Sequence, residues 1–313
     1  MSNDITDLHK RQELFKKFNL LKNKSKSMST RVLDAKKQKR MCGCATYLFF
    51  ERWQNKFNLD DFKKRITKSY LCEIRLCDFC NFLRARKIGH QLKNLMLDLH
   101  TQGYQFSMLT LSAKNCDIDS LDDEIKYLNK SWNKLRQKKF FKPFEYWFKA
   151  LEFTYNKKEN SFNPHFHIIL AYIPTGYFHT KNYVSQDQFL REWQHSLQCD
   201  YLPTARIQTI KPNREKGKDS LISAIAEVSK YPFKTMEFKA LSDEVLNDVI
   251  FRQLKNVRFF TTSRNIKINE NITDEDYINQ ETYRLLDIEI YKHFSRKYNI
   301  IKTIKTVSKN EAV

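Results

Sequence analysis

Two histidines one residue apart, His165 and His167, stand in the stretch NPHFHIIL (163–170), which otherwise has the composition of a core strand. Side chains on a strand alternate between its faces, so the two imidazoles share one face and lie about 6–7 Å apart. Phe166 and Ile168 occupy the other face and are expected to pack on helices. Because unpaired imidazoles in a dry core are costly, the histidine face is expected to meet a groove or a ligand, and one metal ion can bind both rings.

A carboxylate in the preceding segment can supply a third ligand. Glu152 lies among apolar residues of FEYWFKALEFTYN (144–156), which predicts a strand joined to the histidine strand by a polar turn. If the two strands pair antiparallel, Glu152 can lie on the face of His165 and His167. Two imidazoles and a carboxylate suit Mn²⁺ or Mg²⁺ and leave positions open for substrate oxygens, whereas a structural zinc site is more often closed by thiolates.

A carboxylate and a phenol lie one helical turn apart in SLISAIAEVSKYPFK (220–234). The apolar residues of this segment form one stripe at helical spacing, and Glu227 and Tyr231 share the opposite side. Pro232 disfavours helical geometry at Tyr231, which predicts a phenol projecting from a helix end. Beside a metal site, a phenolate can attack a phosphodiester and Glu227 can activate a water or a hydroxyl. An ordinary surface pair is the alternative interpretation.

Seven cysteines at uneven spacing favour metal binding over disulfides. Cys77 and Cys80 have the spacing of a zinc knuckle, and Cys72 lies just upstream. Either Cys42 or Cys44 can complete a set of four thiolates. Cys116 and Cys199 are expected to be ordinary buried thiols.

The charge of the chain favours a polyanionic partner and is concentrated near the N-terminus. The formal net charge is +20, and the first 100 residues hold 23 Lys and Arg against 10 Asp and Glu. Such a field attracts nucleic acid or an acidic membrane face, although a solvated basic surface has the same composition. The chain has no GxxxxGK[ST] loop, no long apolar run and no apolar N-terminal signal, so we expect no P-loop NTPase and no membrane segment, and a cytoplasmic location.

The pattern of predicted elements indicates an α+β fold. Between residues 104 and 234 strands and helices follow in the order β-α-β-β-α-β-α, which is typical of a central, mainly antiparallel sheet with helices on one face. A helix is expected at 81–100, after the cysteines. Helices around one short strand, VRFFTTS, are expected after residue 235.

Several of these segments together resemble a known family. FSMLTLSAKN, NPHFHIIL and AIAEVSKYPFK, in that order and spacing, are similar to the three motifs of rolling-circle plasmid replication initiators, the group of HUH endonucleases with a single catalytic tyrosine. RLCDFCNFLRARK and CGCATYL resemble the cysteine stretches of that group, with Asp78 where the family has proline. The second of these stretches favours Cys42 over Cys44 as the fourth zinc ligand.

The resemblance implies a role for each matching residue. His165 and His167 would bind the Mg²⁺ or Mn²⁺ ion that polarises the scissile phosphate, with Glu152 as a third ligand by a looser analogy. Tyr231 would nick one strand at the plasmid origin, retain a 5′-phosphotyrosine link and free a 3′-OH. Glu227 would promote the hydrolytic step that ends a round. The expected DNA contacts come from basic residues near the two sites: Arg84, Arg86, Lys87, Lys93 and Lys230.

The resemblance also implies a domain plan and partners. A basic helical segment (1–40), a cysteine-rich zinc- and DNA-binding segment (41–100), an HUH endonuclease domain of the RRM-like type (101–235) and a mainly helical C-terminal region (236–313) are expected. The partners would be origin DNA, a host helicase, a host DNA polymerase and a further copy of the chain. A relaxase or transposase of the same superfamily is the first alternative, and a non-catalytic zinc-stabilised DNA-binding regulator is the second.

Overall fold

The described part of the chain forms two antiparallel sheets and six α-helices. The computed structural model describes residues 2–177, 183–210, 237–264, 266 and 278–305. The α-helices there are Ser2–Ser29 (α1), Ala35–Gly43 (α2), Asp78–Thr101 (α3), Leu121–Gln137 (α4), Gln186–Leu197 (α5) and Asp243–Asp248 (α6). The strands are Tyr47–Asn55 (β1), Phe62–Ser69 (β2), Gln105–Ser112 (β3), Cys116–Asp117 (β4), Tyr146–Asn156 (β5), Ser161–Tyr172 (β6), Thr204–Thr209 (β7), Phe260–Thr262 (β8), Tyr283–Phe294 (β9) and Lys297–Lys305 (β10).

By its contacts the chain divides into two compact units. The first unit is Met1–Leu83 with Asp274–Val313, and the second is Arg84–Thr273. The predicted boundary at residue 100 therefore differs from the observed one, which falls within α3. The predicted N-terminal segment 1–40 is not separate either, because it joins the cysteine segment and the C-terminal strands in the first unit. Among the described residues, no helix combines the length and apolar composition that a membrane crossing requires.

The sheet of the second unit has the strand order β7-β3-β6-β5-β8, and the short strand β4 pairs with the first residues of β6. All of these pairs are antiparallel. The α+β class with a mainly antiparallel sheet is thus confirmed. The apolar face of β6 packs where the alternation predicted, since Phe166, Ile168 and Leu170 are fully buried.

The predicted placement of helices on one face of this sheet holds for α4 and α5 but not for α3. Helix α4 contacts β6 on the Phe166 face, and α5 packs against α4 and β7. Helix α3 packs on the opposite face, where Leu92, Met96 and Leu99 form one core cluster with Ile169 and Ala171. Both faces of β6 are therefore covered near its C-terminal end, and a ligand can bind only near His165 and His167.

Lys149 of β5 is buried on the Phe166 face of the sheet, with 4% of its surface exposed. Its ammonium donates to Asn129 Oδ1 at 2.5 Å and lies 3.9 Å from the centre of the Phe166 ring. Burial, with a smaller contribution from Arg136, lowers its pKa to about 7. A lysine in this position makes stability depend on pH, because folding disfavours its charged form.

We expect the free energy of unfolding to rise between pH 7 and pH 9.5, because the unfolded chain then holds a proton on Lys149 that the folded chain has released. A folded pKa of about 7 against an unfolded value of 10.5 predicts a rise of about 3 kcal/mol over this window. Urea unfolding at the two pH values measures it. Lys149→Met should remove this rise and Lys130→Met, an exposed lysine of α4, should keep it. An equal rise in both variants would contradict the assignment.

The first unit has a sheet of its own, with the strand order β10-β9-β1-β2 and antiparallel pairs throughout. Helix α1 packs on this sheet and on the start of α3 through aromatic contacts. Phe18 lies 5.4 Å from Phe79 between ring centres, and Phe15 lies 4.8 Å from Tyr291 and 5.4 Å from Phe50. These contacts hold the beginning of α3, which carries Cys80 and directly follows Cys77, against α1.

The prediction of a mainly helical C-terminal region is wrong for residues 278–305, which form β9 and β10. The reason is visible on β9, where Asp287 and Glu289 are buried. Arg52 of β1 pairs with Asp287, and Lys64 of β2 pairs with Glu289. Because carboxylates fill the inward positions, the strand lacks the apolar alternation by which a half-buried strand is recognised.

Candidate metal centres

The strand pairing brings Glu152 and the two histidines to one face of the sheet of the second unit. β5 and β6 pair so that Glu152 lies directly opposite His165. Glu152 Oε2 lies 3.3 Å from His167 Nε2 and 3.9 Å from His165 Nε2. One ligand atom from each residue lies within 4.8 Å of the other two. We name these three residues the His-Glu triad. Their side chains are between 15 and 21% exposed, so the site can be reached from solvent.

The second ring nitrogen of each histidine has a partner that orients the ring. His165 Nδ1 lies 3.0 Å from the carbonyl oxygen of Asn163, and His167 Nδ1 lies 3.3 Å from the hydroxyl of Thr110. A carbonyl oxygen only accepts, so Nδ1 of His165 donates to Asn163 and its Nε2 faces Glu152. Thr110 lies opposite His167 on β3, and its hydroxyl holds the ring of His167 through Nδ1. Such partners are typical of metal-binding histidines.

The donors of the triad fit a divalent ion. Two ligands at about 2.1 Å from one ion lie up to about 4.2 Å apart, and both measured distances from the carboxylate to the histidines fall within that span. Neutral imidazoles with one carboxylate match Mn²⁺ or Mg²⁺, as the residue types predict. Sequence reasoning missed Thr110, whose only signal is a hydroxyl on the strand that neighbours the histidines.

Four cysteines form a second cluster in the first unit. Cys44, Cys72, Cys77 and Cys80 are all buried. Their sulfur atoms lie 3.4 Å apart for Cys44 and Cys80, 3.5 Å for Cys44 and Cys77, and 3.7 Å for Cys72 and Cys80. Four thiolates around zinc at about 2.3 Å lie about 3.8 Å apart, so this cysteine cluster has the dimensions of a tetrahedral zinc site.

The preference for Cys42 over Cys44 is corrected by this geometry. Helix α2 ends at Gly43, and Ala45 follows with a left-handed φ of 52° while its N–H donates to the carbonyl of Tyr70. This turn directs Cys44 into the cluster and leaves Cys42, half-buried, outside it. The sequence carries no signal for the turn, because the left-handed residue is an alanine and not a glycine. Cys116 and Cys199 also lie outside the cluster and are half-buried, less buried than expected.

Neighbouring polar groups contact the cysteine cluster. The backbone N–H of Cys72 donates to the sulfur of Cys44 at 3.3 Å, and the thiol of Cys77 donates to the hydroxyl oxygen of Ser25 in α1 at 3.3 Å. Hydrogen bonds with the other thiols, first among them Cys44, hold the pKa of Cys77 below its ordinary value. The thiolate is the form that binds a metal. Sequence reasoning did not identify Ser25, which lies more than 50 residues from Cys77.

The remaining predicted site residues fall into two groups. Arg84, Arg86, Lys87 and Lys93 lie half-buried on α3, the helix that covers the triad face of the sheet. Glu227, Lys230 and Tyr231 lie outside the described residues, as does their predicted helix.

The chain is similar to known replication proteins. The sequence profile of the replication protein family matches residues 63–309. A protein named "Protein rep" from Lactiplantibacillus plantarum is 31% identical over 229 residues, which are 72% of this chain and 69% of the relative. Another "Protein rep", from Streptococcus pneumoniae, is 32% identical over 61% of this chain and 59% of the relative. A "Replication protein" from Staphylococcus aureus is 35% identical over 138 residues.

The matches to the three proteins named cover between 44 and 72% of this chain and between 58 and 69% of each relative's length. No solved structure matches the chain at a significant level. The profile match includes the triad and three of the four clustered cysteines, and it ends beyond β10. The chain therefore belongs to the replication protein family of plasmid replication initiators.

Proposed function

We propose that this protein starts rolling-circle replication of a plasmid by nicking one DNA strand at the origin, in a reaction that depends on a divalent metal. The observation that carries the proposal is the convergence of Glu152, His165 and His167, with a hydrogen-bond partner on the Nδ1 atom of each histidine. Membership of a replication protein family supplies the substrate class, because such a protein acts on plasmid DNA.

In this proposal the chain's residues divide the chemistry. The His-Glu triad holds Mg²⁺ or Mn²⁺, which when bound polarises the scissile phosphate. The phenol oxygen of Tyr231 attacks the phosphorus and loses its proton, the bond from phosphorus to the 3′ oxygen breaks, and that oxygen leaves as a 3′-OH. The 5′ end stays linked to the tyrosine. Glu227 then accepts a proton from the water or hydroxyl that ends the round.

The cysteine cluster has a structural role in the proposal. Four buried thiolates close the coordination of zinc and leave no position for a substrate, as expected of a structural site. Zinc on Cys44, Cys72, Cys77 and Cys80 would link the end of α2 to the start of α3. This would fix the helix that carries the proposed DNA contacts Arg84, Arg86, Lys87 and Lys93. Lys230 is proposed to contact DNA beside Tyr231.

The proposed partners follow from the reaction. The 3′-OH requires a host DNA polymerase, and unwinding requires a host helicase, because the sequence has no P-loop motif for nucleotide hydrolysis. A further copy of the chain at the origin remains part of the proposal. The cytoplasm is the proposed location, since plasmid DNA is the substrate.

The decisive experiment incubates the protein with supercoiled origin plasmid and Mn²⁺ or Mg²⁺ and looks for a protein–DNA adduct that resists SDS. We expect an adduct with the unmodified chain, none with Tyr231→Phe, and a normal yield with Tyr70→Phe, an exposed tyrosine of the first unit. Phenylalanine lacks the oxygen that would form the phosphotyrosine link. An undiminished adduct in Tyr231→Phe would refute the nucleophile assignment.

The same assay separates the alternatives. A non-catalytic DNA-binding regulator would bind the plasmid and leave it supercoiled at every metal concentration. A relaxase or transposase would nick a transfer origin or a transposon end in preference to a replication origin. Nicking of the replication origin alone supports the initiator.

A further inference from the structure

A basic cavity lies in the first unit, away in sequence from the His-Glu triad. Its volume is about 710 Å³, and its walls come from α1, α2, Thr46 just before β1, and the end of β9. The lining includes Lys22, Lys26, Lys39, Cys42 and His293. Lys26 and Lys39 are exposed, so the cavity is open to solvent. Its size is that of sites that bind a small molecule or one unit of a polymer.

The lining carries positive charge without compensation. Three lysines contribute to it, and none of its lining residues is an aspartate or glutamate. Among the described side chains, no carboxylate pairs with Lys26 or Lys39. Asp34, the acidic residue that precedes α2, pairs with Lys37. Lys26 and Lys39 therefore bring two exposed ammonium groups to the cavity, and no described carboxylate neutralises their charge.

The floor of the cavity is fixed by Lys22. This lysine is 2% exposed, and its ammonium donates to the carbonyl oxygens of Cys42 and Cys44 and to the hydroxyl of Thr46. It therefore ties the cavity wall to the backbone of a residue in the cysteine cluster. His293 adds a ring nitrogen, Nε2, that is buried and has no hydrogen-bond partner within the part of the chain that the structure describes.

We propose that this cavity binds a backbone phosphate of DNA, through Lys26 and Lys39. The two exposed ammonium groups fit an anion, and the lining has no phenylalanine, tyrosine or tryptophan ring on which a base or a peptide side chain could stack. The open rim lets a strand continue beyond the bound phosphate. The choice of DNA as the ligand rests on the proposed function. Binding at this cavity does not require that the protein nick DNA.

The first test compares two double variants of equal charge. Lys26→Gln with Lys39→Gln removes both cavity lysines. Lys24→Gln with Lys36→Gln removes two exposed lysines of the same helices that do not line the cavity. Binding of an origin duplex is measured at several salt concentrations without added Mg²⁺ or Mn²⁺, so that nicking does not enter the result.

We expect the cavity variant to bind about tenfold or more weakly at 0.1 M salt and to flatten the slope of log K against log salt by about 1 unit, because the one lost phosphate contact contributes about 0.9. The control variant should change the slope by less than half as much. Equal losses in the two variants would mean that only net charge matters, and would overturn the proposal.

The second test uses Cys42 as a reporter, because its thiol lines the cavity and lies outside the cysteine cluster. N-ethylmaleimide labelling of the Cys42 peptide is followed by mass spectrometry with origin duplex, inorganic phosphate or polyglutamate present. Slowing of the labelling by DNA, at least about fivefold at saturation, supports the proposal. Slowing by phosphate alone identifies a site for free anions, slowing by polyglutamate alone identifies a site for an acidic protein segment, and either result overturns the DNA assignment.

Discussion

Cys44→Ser should abolish zinc binding, whereas Cys42→Ser should leave one zinc per chain. Cys44 lies within 3.5 Å of the sulfurs of Cys77 and Cys80, while Cys42 lies outside the cysteine cluster. Structural zinc in small domains contributes about 10–16 kcal/mol of apparent binding free energy, so its loss should unfold much of the first unit. Metal analysis and thermal unfolding of the full chain measure both effects.

The cysteine comparison remains decisive if Cys44→Ser does not fold. Cobalt can then replace zinc in the unmodified chain and in Cys42→Ser. The absorption bands of tetrahedral cobalt with four thiolates should be the same in both. Weaker thiolate bands in Cys42→Ser would show that Cys42 is a ligand, and the assignment of Cys44 would be wrong.

His167→Ala should lower metal-dependent nicking by about 10³-fold or more, because the ion supplies several kcal/mol of stabilisation to the transition state. Thr110→Val should act differently, since it removes only the hydroxyl that orients His167. Loss of such an orienting partner typically weakens metal binding 10- to 100-fold. We expect Thr110→Val to need more Mn²⁺ for half-maximal nicking and to recover near-normal rates at saturating Mn²⁺.

Thr110→Ser is the matched control, because it keeps the hydroxyl on the same strand. It should show a metal requirement close to that of the unmodified chain. If Thr110→Val and Thr110→Ser lose activity equally, or if excess Mn²⁺ rescues neither, Thr110 would act through packing and not through the histidine. Thermal unfolding of each variant would show whether the sheet is intact.

Local patterns predicted the elements near the triad well. The alternation in β6 placed Phe166 and Ile168 inward, and the predicted order of strands and helices from residue 104 agrees with β3, α4, β5, β6, α5 and β7. Strand and helix periods are set by the local geometry of the chain, so a short window of sequence carries them. The sequence also predicted the pairing of β5 with β6, because a short polar turn joins the two strands.

Other features depended on contacts that are distant in sequence. Strand β9 carries inward carboxylates that are stable only because Arg52 and Lys64 lie on strands more than 200 residues away. Helix α3 was predicted, but its position on the triad face was not, since an amphipathic helix does not specify which side of a sheet it will cover.

The sequence by itself determined which residues could do chemistry, because residue type and spacing along one strand or one turn are local properties. His165 and His167 share a face for this reason, and Cys77 and Cys80 share a turn. Only the tertiary structure decided which partners meet them. It brought Glu152 to 3.3 Å from His167, chose Cys44 over Cys42 through the left-handed turn at Ala45, and closed the basic cavity around Lys22. These outcomes depend on packing between segments far apart in the chain, which no local period encodes.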